Sequence, residues 1–172
     1  GGGGPPPPPP HKLFSLFLPL PGCGLATANA QTREAALQAI QIAQLAGAPL
    51  GYHFGWGHKR PHSQSCAADF HSLLAAIEDD PTEIPQNRLF ENYVAALSNV
   101  RAVLDDHSPL ATRNEWTMRL SDVAFLLCVS GMTPEHCRDS LVRQNCYSDA
   151  EVREAEAALA GLGLLEKARK SA

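Results

Sequence analysis

Residues 133–165 read TPEHCRDSLVRQNCYSDAEVREAEAALAGLGLL. Caps, apolar spacing and breakers agree here better than anywhere else in the chain. Thr133 is a natural N-cap, and Pro134 suits the first helical position, where its missing N–H leaves no bond unmade. Cys137, Leu141 and Val142 supply a buried side, and Asn145 can take the left-handed conformation that ends a helix. Ser148 and Glu151 form a capping box for a second helix. In it Val152, Ala155 and Leu159 recur at spacings of three and four. Gly161 closes that helix, and Leu162, Leu164 and Leu165 return to the core as an incipient strand.

Upstream, the same signals predict four more helices. The first covers about 31–46, capped by Asn29 or Thr32 and ended by Gly47, with Ala36, Leu37, Ile40, Ala43 and Leu45 on its apolar face. A second runs from Pro61 or Ser63 to about Glu78 on Cys66, Phe70, Leu73, Leu74 and Ile77. A third, about 86–104, carries the stripe Leu89, Phe90, Tyr93, Val94, Leu97, Val100 and Leu104. A fourth, about 112–130, turns Trp116, Leu120, Val123, Ala124 and Leu127 inward and stops at Gly131. Residues 47–60, rich in glycine and aromatics, form a loop or at most a short strand. The fold class is therefore mainly α: a helical bundle with a C-terminal helix-turn-helix-like unit and little or no sheet.

The organisation follows from composition. Residues 1–10, four glycines and six prolines, form a low-complexity segment. Residues 11–30 read as an extended apolar arm. Residues 31–108 form a helical domain with a Gly/His-rich loop, and residues 109–172 a helical, winged-helix-like unit. The boundary falls near 105–112, at Asp105-Asp106-His107-Ser108-Pro109.

At 172 residues the chain can bury a real core, and its 44% apolar and 19% charged content is that of a soluble globular protein. The formal net charge of −4 supplies no general attraction for nucleic acid or an anionic membrane. No apolar run reaches the roughly 18 residues of a transmembrane segment. Five cysteines without a CxxC pair point to reduced thiols and a cytoplasmic location. The alternative is export: a basic start, the apolar Leu13–Leu20 and Ala28-Asn29-Ala30 have the layout of a signal segment.

The 133–165 stretch resembles the winged helix-turn-helix family, in which a Thr/Ser-Pro-Glu helix start precedes a Ser-capped second helix and a Gly-Leu-Leu entry into the wing. Residues 113–157 also resemble the helical domain that follows the catalytic core in some plasmid and phage primases. The residues involved are Arg113-Asn114, Gly131-Met132-Thr133-Pro134-Glu135, Asn145 and Glu151-Val152. Those resemblances imply an accessory protein of replication or conjugation, with DNA as a possible partner. The charges point elsewhere. Residues 133–165 hold six acids against three arginines, and a reading helix needs cations for phosphates and base edges. The candidate nucleic-acid contacts are Arg153 and the tail residues Lys167, Arg169 and Lys170.

Two further candidates lie between residues 52 and 71. His62, Cys66 and Asp69 would share a face if residues 62–73 are helical, and imidazole, thiolate and carboxylate are zinc ligands. His62-x-x-Ser65-x-Ala67-x-Asp69 is similar to the first metal motif of the D-Ala-D-Ala peptidase and phage endolysin family, S-x-H-x-x-G-x-A-x-D. Arg60 and Ser65 stand where that pattern has serine and glycine. The resemblance makes His62 and Asp69 zinc ligands of a hydrolase. Tyr52, Phe54 and Trp56 form an aromatic loop that could stack on bases or a partner, or fold back on the core. With no complete catalytic set, the leading expectation is a non-enzymatic helical binding or assembly module with no cofactor, working with protein partners in a larger complex. The alternatives are a nucleic-acid-binding winged-helix protein and a zinc-dependent peptidase.

Overall fold

The computed structural model describes residues 29–48, 50–79 and 91–166. The Gly/Pro segment, nearly all of the apolar arm, Leu89 and Phe90 of the third stripe, and the basic tail lie outside them. The architecture is mainly helical. In chain order it comprises α1 (Ala30–Leu45), the strands β1 (Gly55–Trp56) and β2 (Pro61–His62), α2 (Gln64–Asp79), α3 (Glu91–Asp105), α4 (Arg113–Ala124), α5 (Pro134–Gln144) and α6 (Asp149–Gly161). The strands pair antiparallel with Gly55 opposite His62 and Trp56 opposite Pro61. A turn joins them, with Gly57 N–H on the Arg60 carbonyl at 2.7 Å and Lys59 in the left-handed region (φ 64°).

Helix starts follow local chemistry. Asn29 Oδ1 accepts from Thr32 N at 2.8 Å, and Thr133 Oγ1 accepts from His136 N at 3.2 Å with Pro134 in the first turn. Ser148 and Glu151 close the expected capping box, and Thr112 with Glu115 closes another at the head of α4. The ends depart from expectation. Asn145 is not left-handed; Cys146, one residue later, is (φ 59°). The last turn of α6 runs through Gly161, and the left-handed residue is Gly163 (φ 75°). Residues 164–166 are then helical, so no strand opens there. Val142 is 40% exposed and Ser140 takes the inner place, because Ser140 lies about 60° around the helix from the buried Cys137 and Val142 about 140°.

At the centre lies α4. Every residue from Trp116 to Ala124 is buried, although four of the nine are Thr117, Arg119, Ser121 and Asp122. The helix continues as a π turn over Phe125–Val129 and stops at Gly131 (φ 69°). Around it, α1 contributes Ile40, Ile42 and Ala43, α3 contributes Leu97, Val100 and Leu104, and the C-terminal pair contributes Cys137, Leu141, Val152 and Leu159. One cluster thus draws on residues from both sides of 105–112. Trp116 belongs to it while donating Nε1–H to the Val103 carbonyl at 2.9 Å.

Between α1 and α4 the contact includes a polar seam. Ser121 Oγ donates to Gln38 Oε1 at 2.6 Å and accepts from Gln41 Nε2 at 2.9 Å. Gln38 Nε2 donates to Glu34 Oε1 at 2.8 Å and to the Pro61 carbonyl at 2.9 Å, tying the hairpin to the same seam. These groups are buried, so each needs its partner. Ser121→Ala leaves Gln38 Oε1 without its donor and Gln41 Nε2 without its hydroxyl acceptor. Urea denaturation of that variant is expected to show a loss of about 1–3 kcal/mol with an unchanged m-value; no loss would mean the seam is not stabilised by these bonds.

Candidate functional site

Asp122 is fully buried on α4, at the meeting point of two non-helical segments. From the α5–α6 linker, Tyr147 Oη donates to Asp122 Oδ2 at 2.6 Å, and Asn145 Nδ2 donates to the same oxygen at 3.1 Å. Asn145 Nδ2 also donates to the Lys59 carbonyl at 2.9 Å, joining that linker to the hairpin turn. From the hairpin, Arg60 places Nε 3.6 Å from Asp122 Oδ1, beyond hydrogen-bonding distance. Oδ1 accepts no hydrogen bond from the described residues. The two non-glycine residues with positive φ among the described residues, Lys59 and Cys146, are the chain neighbours of Arg60 and Asn145. A left-handed backbone at such residues is a small reservoir of strain that surrounding contacts must hold.

A cleft of about 780 Å³ opens beside this cluster, between the start of α1, the first half of α4 and the α5–α6 linker. Arg60, Arg119, Tyr147 and Glu151 line it, with Glu34 and Glu115 on the α1 and α4 sides. Arg119 is nearly enclosed; its Nη2 meets Glu151 Oε2 at 2.5 Å, and its guanidinium lies over the Tyr147 ring at 5.6 Å. Glu151 is held below the usual carboxylate range, first by the Ser148 backbone N–H and then by Arg119. Burial pushes Asp122 the other way, up to about 6, and outweighs the lowering by Tyr147, Arg60 and Asn145. Tyr147 is raised by burial and by the Asp122 charge. A buried carboxyl perturbed by desolvation and facing a specific cation beside a cleft marks a functional-site candidate.

The structure separates the sequence-predicted metal candidates. His62 is exposed on β2, Cys66 is fully buried in the core, and Asp69 accepts the Tyr52 hydroxyl proton at 2.7 Å. Burial also pushes the Cys66 thiol up to about 12, which opposes the thiolate form a metal requires. Among the described residues no three His, Cys, Asp or Glu side chains are grouped to hold a metal ion. The aromatic loop faces inward: Tyr52 and Phe54 are buried, and the Trp56 ring lies 5.7 Å from that of Phe125. Gln44 anchors the loop by exchanging two bonds with the Tyr52 backbone, at 2.6 and 2.9 Å. Its rings are therefore not a free stacking platform. Arg153 is exposed and paired with Asp149 at 2.6 Å, while Lys167, Arg169 and Lys170 lie outside the described residues.

Sequence reasoning did not single out Asp122, Arg119 or Tyr147, and it took Asn145 only as a helix end and a motif residue. The one available signal was an acid set inside the apolar stripe between Leu120 and Val123. No protein-family model, curated protein or solved structure matches the chain. No helix among the described residues is long and apolar enough to cross a membrane.

Two outcomes are expected. Because the folded Asp122 carboxyl is raised from 3.8 to about 6, its contribution to stability is fully present below the unfolded value. It is lost as pH rises through the folded one. Denaturant titrations should show wild type losing roughly 2 kcal/mol relative to Asp122→Asn between about pH 4 and pH 7; parallel curves would refute the raised carboxyl. Metal-free protein reconstituted with zinc and dialysed should retain well under one equivalent by elemental analysis. Stoichiometric zinc lost in His62→Ala would restore the hydrolase reading.

Proposed function

We propose that the chain is a non-enzymatic helical binding module, a subunit of a larger assembly, and that it meets a protein partner at the cleft beside Asp122. The observation that carries this reading is a preorganised cleft whose two arginines are both matched by carboxylates within the chain. Arg119 pairs with Glu151, Arg60 faces Asp122, Glu34 accepts from Gln38, and Glu115 caps α4. Such a surface offers no excess of positive charge, which suits a protein surface better than a phosphate backbone.

The α5–α6 pair, the part that resembles a helix-turn-helix, supplies one wall of the cleft through its linker and Glu151. Its cations are spoken for. Arg138 reaches Glu156 at 3.1 Å and Asp149 at 3.6 Å, and Arg153 reaches Asp149. These pairings support docking rather than DNA reading as the use of this unit.

Light scattering on the eluting chain, together with capture of binding proteins, tests the proposal. Glu34→Arg should weaken capture at least about tenfold, or ~1.4 kcal/mol, with the helical circular dichroism unchanged. Arg143→Ala on the exposed side of α5 should leave capture intact. A strictly monomeric chain whose captured proteins are indifferent to Glu34→Arg would sink it.

A further inference from the structure

The two oxygens of Asp122 have different duties. Oδ2 takes both donors, from Tyr147 and Asn145, whereas Oδ1 faces the Arg60 guanidinium and accepts no hydrogen bond from the described residues. A proton arriving at this carboxyl therefore goes to Oδ1, where no donor has to be displaced. Once there, it removes the ion pair and sets an O–H donor against the N–H donors of Arg60. Arg60 has somewhere to go: its side chain is 33% exposed and lines the cleft.

We propose that Asp122 is a proton-operated latch on Arg60. Ionised, it holds the guanidinium against α4; protonated on Oδ1, it releases the guanidinium into the cleft while Tyr147 and Asn145 stay bound to Oδ2. The backbone is prepared for such a movement. Lys59, the residue before Arg60, is held left-handed, and its carbonyl is fastened by Asn145, so the hairpin keeps its anchor while the Arg60 side chain swings. This gate goes beyond the docking role proposed above and stands whether or not a protein partner occupies the cleft.

The groups that bear on Asp122 come from three elements. Arg60 approaches from the hairpin, Tyr147 from the α5–α6 linker, and the Cys137 thiol from α5. Burial lifts Tyr147 far above neutrality and pushes the Cys137 thiol up to about 12, so neither changes charge where Asp122 does. On α4 itself Arg119 is turned to Glu151 of α6, and Glu34 of α1 faces the cleft from the far side. His58 and His62 on the hairpin are exposed, and the experiment must separate their signals from that of Asp122.

The test is carbon- and nitrogen-detected NMR of the full labelled chain from about pH 4.5 to about pH 8. The Asp122 carboxyl carbon and the Arg60 Nε–H resonance are expected to titrate together, with a shared midpoint. In Asp122→Asn the Arg60 resonance should stay at its low-pH position throughout. In Arg60→Gln, which leaves the carboxyl in place, the Asp122 midpoint should rise by about one unit because a favourable cation is gone. The Tyr147 hydroxyl should remain bound across the range. An Asp122 carboxyl that stays ionised to the acid limit overturns the latch. So does an Arg60 resonance that still moves in Asp122→Asn, or a Tyr147 hydroxyl released together with Arg60.

Discussion

The structure depends on one constraint: α4 is buried at every position from Trp116 to Ala124 and yet is not an apolar helix. A helix surrounded on every side normally carries apolar residues all round. Here Thr117, Arg119, Ser121 and Asp122 are enclosed with Trp116, Leu120 and Val123, so each polar group must find its partner inside the protein. That requirement dictates the neighbours. Ser121 is answered by Gln38 and Gln41, Thr117 by the Arg113 carbonyl, Arg119 by Glu151, and Asp122 by Tyr147 and Asn145. Apart from the Arg113 carbonyl, which belongs to α4 itself, the answers come from other parts of the chain, and they fix where α1, α6 and the α5–α6 linker sit around the central rod. Apolar contact alone would tolerate sliding; a directional bond at 2.6 Å does not.

The same principle runs through the C-terminal pair in a more exposed setting. Arg138 is only 15% exposed and lies among Glu135, Asp149 and Glu156, so the acid excess of this region is partly neutralised by a cation enclosed within it. Pairs of this kind contribute little when exposed, but an enclosed arginine shared by several carboxylates orients two helices. The electrostatics of α5 and α6 thus hold the pair together, and little positive charge is left over on their described surface.

Much of the fold could be read from the residues. Thr133-Pro134 and the Ser148–Glu151 box mark helix starts because cap chemistry is local, involving atoms within three residues of one another. The stripe of Trp116, Leu120, Val123 and Leu127 was legible for the same reason. Legibility ended where a distant neighbour decides the outcome. Nothing within a few residues of Gly161 says whether Leu164 starts a strand or a further helical turn. His62, Cys66 and Asp69 are close in sequence, yet a core position claims Cys66 and the Tyr52 hydroxyl claims Asp69. The cluster around Asp122 was invisible because its members are 23 and 25 residues apart on one side, with Arg60 far off on the other, and no spacing rule joins them.

The π turn at Phe125–Val129 gives the central helix two independent faces. Each wider turn admits an extra residue per cycle, so the residues beyond it are rotated in phase relative to those before it. The first part of the rod addresses α1 and α6. The wider turn sends Phe125 toward Trp56 and brings Cys128 Sγ to 3.7 Å from the Leu164 carbonyl. A straight α-helix of the same length would commit both halves to one azimuth, and a change of neighbour at one end would propagate to the other. The phase break instead aims the two parts at different neighbours: the residues up to Asp122 meet α1, α6 and the α5–α6 linker, and those beyond meet the first hairpin strand and the C-terminal turn.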